Sequence, residues 1–119
     1  MVDVKELRVG NVVSVYGKPK ILTLQDIRFI DSDNQNPKNK GCNAQYIPLT
    51  EEWLLNFGFE KQGIYYFKDY FFGIYDDLSE VCLWNDGEQI GYKNENIKYI
   101  HQLQNLYFAL TNEELTVNL

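Results

Sequence analysis

The sequence is poor in the residues that catalysis, metal binding and secretion most often draw on. It has one histidine (His101), two cysteines (Cys42 and Cys82), one methionine and three prolines. Two cysteines cannot build the disulfide framework of a small secreted domain, and they read as reduced thiols. No Asn-X-Ser/Thr glycosylation acceptor occurs. The first residues scatter Asp3, Lys5, Glu6 and Arg8 where the apolar core of a secretory leader would lie, so no leader is expected. The longest uncharged run, Tyr99 to Asn112, holds His, Gln and Asn and is too short to span a bilayer. These absences predict a soluble cytoplasmic protein.

What is present suits a folded chain. At 119 residues, with 45% hydrophobic and 24% charged residues, one core can form without covalent staples. The aromatic share of 15% is concentrated in the second half, where Tyr and Phe favour pleated, half-buried surfaces. The net charge of −6 disfavours non-specific binding to phosphate backbones. That charge is uneven. Lys5, Arg8, Lys18, Lys20 and Arg28 outweigh three acidic groups in residues 1–30, whereas residues 69–96 hold seven acidic groups and only Lys93.

Residues 6–30 read as a small β-meander that begins as SH3-like barrels do. A lead-in turn, Glu6 to Asn11, precedes a strand at Val12–Tyr16. Gly17-Lys18-Pro19 reads as the turn and Ile21–Leu24 as the return strand, with a third strand over Ile27–Ile30. Asp31 to Gln45 is Asn-rich and contains Pro37 and Gly41, which predicts an exposed polar loop. A short helix follows, with Thr50 as N-cap, Glu51 and Glu52 in its first turn, and Gly58 as the left-handed stop. Its Trp53, Leu54 and Phe57 share an inward face. Ile64–Phe67, Tyr70–Tyr75, Val81–Trp84 and Gln89–Tyr92 form an antiparallel aromatic meander, with turns at Lys68-Asp69 and Asn85-Asp86-Gly87. A last helix, Ile100 to Leu110, should cover the sheet with Ile100, Leu103, Leu106, Tyr107 and Leu110. The expected class is α+β, in one domain over 1–119.

Sites of chemistry are not evident. Cys42, Cys82 and His101 show no metal-ligand spacing. The run from Asp31 to Cys42 lacks the glycine and the bidentate glutamate of a calcium loop. His101 is the only imidazole base, without a nucleophile signature to pair with it. Asp76 and Asp77, if on a strand, point to opposite faces. The glycines are dispersed singly, so none cradles a phosphate. The aromatic strands lack the cations of a base-stacking platform. No catalytic, metal or cofactor site is therefore predicted, and the chain is expected not to be an enzyme.

Three segments together resemble a group of short uncharacterised Bacteroidetes proteins, often encoded in phage or other mobile regions. They are Glu6–Asn11 (ELRVGN), Ile47–Phe59 (IPLTEEWLLNFGF) and Lys98–Leu115 (KYIHQLQNLYFALTNEEL). Asn112 stands where glycine is expected, and it too tolerates a left-handed helix cap. The resemblance implies a bacterial cytoplasmic protein with no assigned activity and transfers no catalytic residue. The leading expectation is a binding or adaptor protein that contacts a protein partner. Its interface is placed on the outer face of the last helix: His101, Gln104, Asn105 and Phe108, a mix of amides and one aromatic. Two alternatives stay open. One is nucleic-acid binding through Lys5, Arg8, Lys18, Lys20 and Arg28. The other is an acidic nucleic-acid mimic built on residues 69–96.

Overall fold

A computed structural model describes residues 2–35, 43–69, 71–78, 81–85, 88–93, 97–117 and 119. The fold is α+β, as expected, with three α-helices, one 3₁₀ turn and two antiparallel sheets among these residues. Its contacts divide into two compact units: Met1–Pro48 with Tyr99–Leu119, and Leu49–Lys98. No helix among the described residues is long and apolar enough to cross a membrane.

The first unit begins with a 3₁₀ turn, Val4–Glu6, capped by the Asp3 carboxylate, which accepts from the Lys5 amide at 3.0 Å. Strands β1 (Val12–Val15) and β2 (Lys18–Ile21) then pair as a hairpin. The connecting residues are Tyr16 and Gly17, not Gly17-Lys18-Pro19. Both have positive φ, 55° and 77°, which lets a two-residue turn follow the right-handed twist of the strands. Pro19 enters the strand at no cost to the ladder. Its partner is Ser14, whose amide and carbonyl both bond to Gln45 on the far side of β1, at 2.8 and 2.9 Å.

The expected third strand, Ile27–Ile30, is instead the middle of helix α1, Leu24–Gln35. Thr23 and Asp26 form a reciprocal cap. The Asp26 amide donates to Thr23 Oγ1 at 3.2 Å, and the Thr23 amide donates to Asp26 Oδ2 at 2.9 Å. Lys20, 2.7 Å away, and the bond from the Thr23 amide hold the Asp26 carboxyl below its usual range. Ile27 and Ile30, three apart, turn one helix face into a cluster with Val2, Leu7, Val13 and Leu22. The polar loop expected over 31–45 is therefore corrected at its start: Asp31 to Gln35 are helical. Residues 36–42, with Pro37 and Cys42, lie outside the described residues.

Helix α3, Ile100–Thr111, returns to this unit and packs against β1. Gln102 accepts from the Tyr99 amide at 3.1 Å at its start, and Asn112 ends it with φ 60°, the left-handed cap read from the sequence. The buried face differs from the apolar arc. Ile100, Leu103 and Tyr107 are buried, but Leu110 is 40% exposed, while His101 and Gln104 are within 1% of fully buried.

The second unit opens with α2, Glu51–Asn56, capped by Thr50 as expected, with its hydroxyl 3.4 Å from the Trp53 amide. It ends in a Schellman arrangement. The Gly58 amide donates to Leu55 O and the Phe59 amide to Leu54 O, with Gly58 at φ 94° and Leu54 and Phe59 both buried. Five strands follow as a meander: β3 (Glu60–Gln62), β4 (Tyr65–Lys68), β5 (Phe72–Tyr75), β6 (Val81–Asn85) and β7 (Glu88–Lys93). Strand β3 was not expected, because its residues are polar and exposed; Gly63 and Ile64 turn it into β4. The turn residues Asp86 and Gly87 lie outside the described residues. Tyr66, Phe72, Ile74 and Val81 line one buried face. On the other face Trp84 meets Tyr65 and Phe67 edge-to-face, both with centroids 4.9 Å away, and Tyr65 and Phe67 are tilted against each other at 5.5 Å.

Gly73 makes room for that cluster. A Cβ there would lie 2.6 Å from Trp84 Cζ3 and 3.2 Å from Phe67 Cε1. Gly73→Ala should therefore cost about 1–3 kcal/mol of stability through overpacking. The expected reading is a lower urea midpoint, followed by tryptophan fluorescence, with an unchanged slope.

Candidate functional site

The residues expected to form an exposed face on the last helix converge inward, on the lead-in segment of the same unit. That segment, Glu6 to Asn11, closes on itself: the Asn11 amide donates to Arg8 O at 3.0 Å, and the Arg8 amide donates to Asn11 Oδ1 at 2.7 Å. The turn leaves Asn11 fully buried, its Nδ2 aimed at α3.

Gln104 meets it there. Its Oε1 accepts from the Val12 amide at 2.8 Å, with Asn11 Nδ2 more distant at 3.4 Å. Its Nε2 donates to Gly10 O at 3.0 Å and to Leu115 O at 3.2 Å. One side chain thus joins the start of β1, the lead-in turn and the tail beyond α3. Asn105, one position along, accepts from Asn11 Nδ2 and from Arg8 Nη1, both at 2.9 Å, and donates to Glu6 O at 2.8 Å. Arg8 completes the clasp. It forms an ion pair with Glu114, and its guanidinium carbon lies 4.1 Å from the centroid of the Phe108 ring. Phe108 is thereby half-covered by Arg8.

His101 occupies the other end. Its side chain is 1% exposed and stacks on Tyr46 at 4.4 Å, with Tyr99 beyond at 6.0 Å. Among the described residues neither ring nitrogen has a hydrogen-bond partner; Nε2 lies 3.6 Å from Glu6 Oε1. The second Glu6 oxygen accepts from the Tyr46 hydroxyl at 2.7 Å, and that hydroxyl accepts from the Asp3 amide at 2.9 Å. Burial pushes the His101 imidazole below its ordinary value, against the opposing pull of Glu6. Burial likewise raises the Tyr46 phenol.

The four helix residues are therefore one cluster, in which His101 and Gln104 are buried and Asn105 and Phe108 are partly exposed. His101 and Gln104 are not presented to a partner, which corrects the expected outer face. Each is buried because a remote backbone or ring occupies its side. Glu6, Asn11, Tyr46 and Glu114 belong to the cluster and were not singled out as site residues. The available sign was that Glu6 and Asn11 bound the ELRVGN segment and Glu114 sits in the KYIHQLQNLYFALTNEEL segment, the two stretches that touch here. The five cations of the expected basic face differ in their surroundings. Arg8 is drawn into the clasp, and Lys20 is paired with Asp26; Lys5, Lys18 and Arg28 are exposed on three different elements.

Beside the clasp lies a surface recess of about 350 Å³. Val9, Val12, Ile21, Leu115 and Val117 supply most of its walls, with Gln104, Glu114 and Thr116 as the polar members. Val9 and Ile21 are 55% and 42% exposed at its rim. Its only charged group, Glu114, is already matched by Arg8. Among the described residues no group of three or more His, Cys, Asp or Glu side chains is placed to hold a metal ion. Compared with known proteins, the chain matches no family model, no curated protein sequence and no solved structure.

Gln104→Ala tests the clasp as a structural element. It strips the Val12 amide and the Gly10 and Leu115 carbonyls of their shared partner and should cost about 2–4 kcal/mol in chemical denaturation. Gln104→Glu, which removes the donor but keeps the shape, should be comparably destabilising at neutral pH.

Proposed function

We propose that this chain is a non-enzymatic binding protein that acts by contact with another protein, and that the recess beside the clasp receives an uncharged, apolar segment of that partner. The observation that carries this reading is the apolar rim: Val9 and Ile21 stand half-exposed around a concave, mostly apolar wall. Isolated exposed apolar residues need no explanation, but two bordering one recess form a contiguous patch. Because the Glu114 charge is answered within the chain, neither a cation nor an anion is called for as the ligand.

Two considerations favour binding over catalysis or nucleic-acid contact. The chain's only imidazole lies beneath Tyr46, with no approach for a substrate proton. Two of the five basic side chains on the N-terminal third have acidic partners of their own, which weakens a phosphate-binding face. The resemblance of the ELRVGN and KYIHQLQNLYFALTNEEL segments adds a bacterial, cytoplasmic setting in a phage or mobile element to the reading.

The test is affinity capture from bacterial lysate, with and without nuclease treatment, using the wild-type chain, Ile21→Asp, and Phe29→Asp as a control exposed on α1. A protein retained by wild type and Phe29→Asp, and weakened at least about tenfold by Ile21→Asp at unchanged thermal midpoint, is the expected result. Capture that vanishes with nuclease, or that Ile21→Asp leaves intact, contradicts it.

A further inference from the structure

We infer that the contact between the lead-in segment and α3 is an acid-sensitive latch, closed while His101 is neutral and loosened when His101 takes up a proton. The geometry is that of a titratable ring buried beside a single carboxylate, Glu6, which is half-exposed and 3.6 Å from one nitrogen. The ring is 1% exposed, and among the described residues neither nitrogen has a hydrogen-bond partner. A neutral imidazole is tolerable in such a place, but an imidazolium loses its hydration there and has only the half-exposed Glu6 carboxylate, beyond hydrogen-bond distance, in return.

The groups facing the ring come from three directions. From the 3₁₀ turn comes Glu6, at 3.6 Å and so beyond hydrogen-bond distance, with its other oxygen engaged by Tyr46. From the segment after residue 42 comes Tyr46, whose phenol stays protonated because burial raises it further. Behind Tyr46, Asp3 contributes its amide. From the start of α3 comes the Tyr99 ring. Arg8 lies one turn further along the helix, on Asn105 and Phe108, where its charge also opposes a second cation. Among the described residues Glu6 is the group that favours the imidazolium. It is 47% exposed, so water screens much of its attraction.

The direction follows from linkage. The closed form holds the imidazole below its ordinary value of about 6.5, and the opened form restores that value. The opened form therefore binds the proton more tightly. The latch has its full stability above about pH 6.5 and loses it as pH falls through the closed-form midpoint. Between the two midpoints the opening equilibrium should rise up to about tenfold per pH unit. Opening would separate Glu6–Val12 from His101, Gln104 and Asn105, and with it one wall of the recess.

Because His101 is the only histidine, its imidazole gives one unambiguous NMR signal in the full chain. Titration from pH 7.5 to 5.5 stays above the usual carboxylate range. The expected result is a midpoint below 6.5 and, over the same interval, faster amide exchange at Gly10, Val12 and Leu103 after correction for intrinsic rates. Glu6→Gln, which leaves the buried ring in place, should lower the midpoint further. His101→Gln should abolish the pH dependence of exchange. A wild-type midpoint at or above 6.5, or exchange that ignores the titration, overturns the proposal. A Glu6→Gln midpoint equal to wild type does the same, even if His101→Gln does not fold.

Discussion

The side-chain amide of Gln104 reaches a place that water does not, and three backbone groups depend on it. The Val12 amide begins the hairpin, the Gly10 carbonyl belongs to the lead-in turn, and the Leu115 carbonyl belongs to the tail after α3. Left unpaired in a buried setting, each would cost on the order of 1–3 kcal/mol. A glutamine presents one acceptor and two donor hydrogens on a flexible stem, so a single residue answers all three. The rest of the first unit is arranged around that point. Asn11 and Asn105 extend the network toward Arg8, and the aliphatic cluster of Val2, Leu7, Val13, Leu22 and Ile30 closes the other side of the hairpin. The Arg8–Glu114 pair lies on the surface, where ion pairs contribute little, so its role is to orient the tail and cover Phe108.

The second unit is held by different means. Its meander relies on cross-strand aromatic pairs and on the space left at Gly73, and its single short helix is defined at both ends by local capping. Such pairs add roughly 0.5–1.5 kcal/mol each beyond the area they bury. This unit is contiguous in sequence and built from hairpins, whereas the first joins residues more than ninety positions apart.

That difference explains what could be read in advance. The Thr50 cap, the Gly58 stop and the aromatic strands are local signals, and the structure reproduces them within a residue or two. Helix α1 was missed because Ile27-Arg28-Phe29-Ile30 is rich in β-prone residues. The competing local sign, a Thr23-to-Asp26 cap, begins within the expected return strand Ile21–Leu24 and ends just beyond it. The face of α3 was misjudged for another reason. A helical wheel ranks residues by polarity and so turns His101 and Gln104 to solvent. Their burial depends on acceptors and rings from the far end of the chain, which no local window contains. The residues of the candidate site were therefore legible as a group, and their orientation was not.

The lead-in segment and α3 form one amide-locked element, on which both the recess and the seat of the single histidine depend. The most direct measurement is a double-mutant cycle on Asn11 and Asn105, whose side chains meet at 2.9 Å across 94 positions of sequence. The account predicts a coupling of about 1–2 kcal/mol between Asn11→Ala and Asn105→Ala in chemical denaturation, the second change costing less once the first is made. Additive effects, with no coupling outside experimental error, would contradict it.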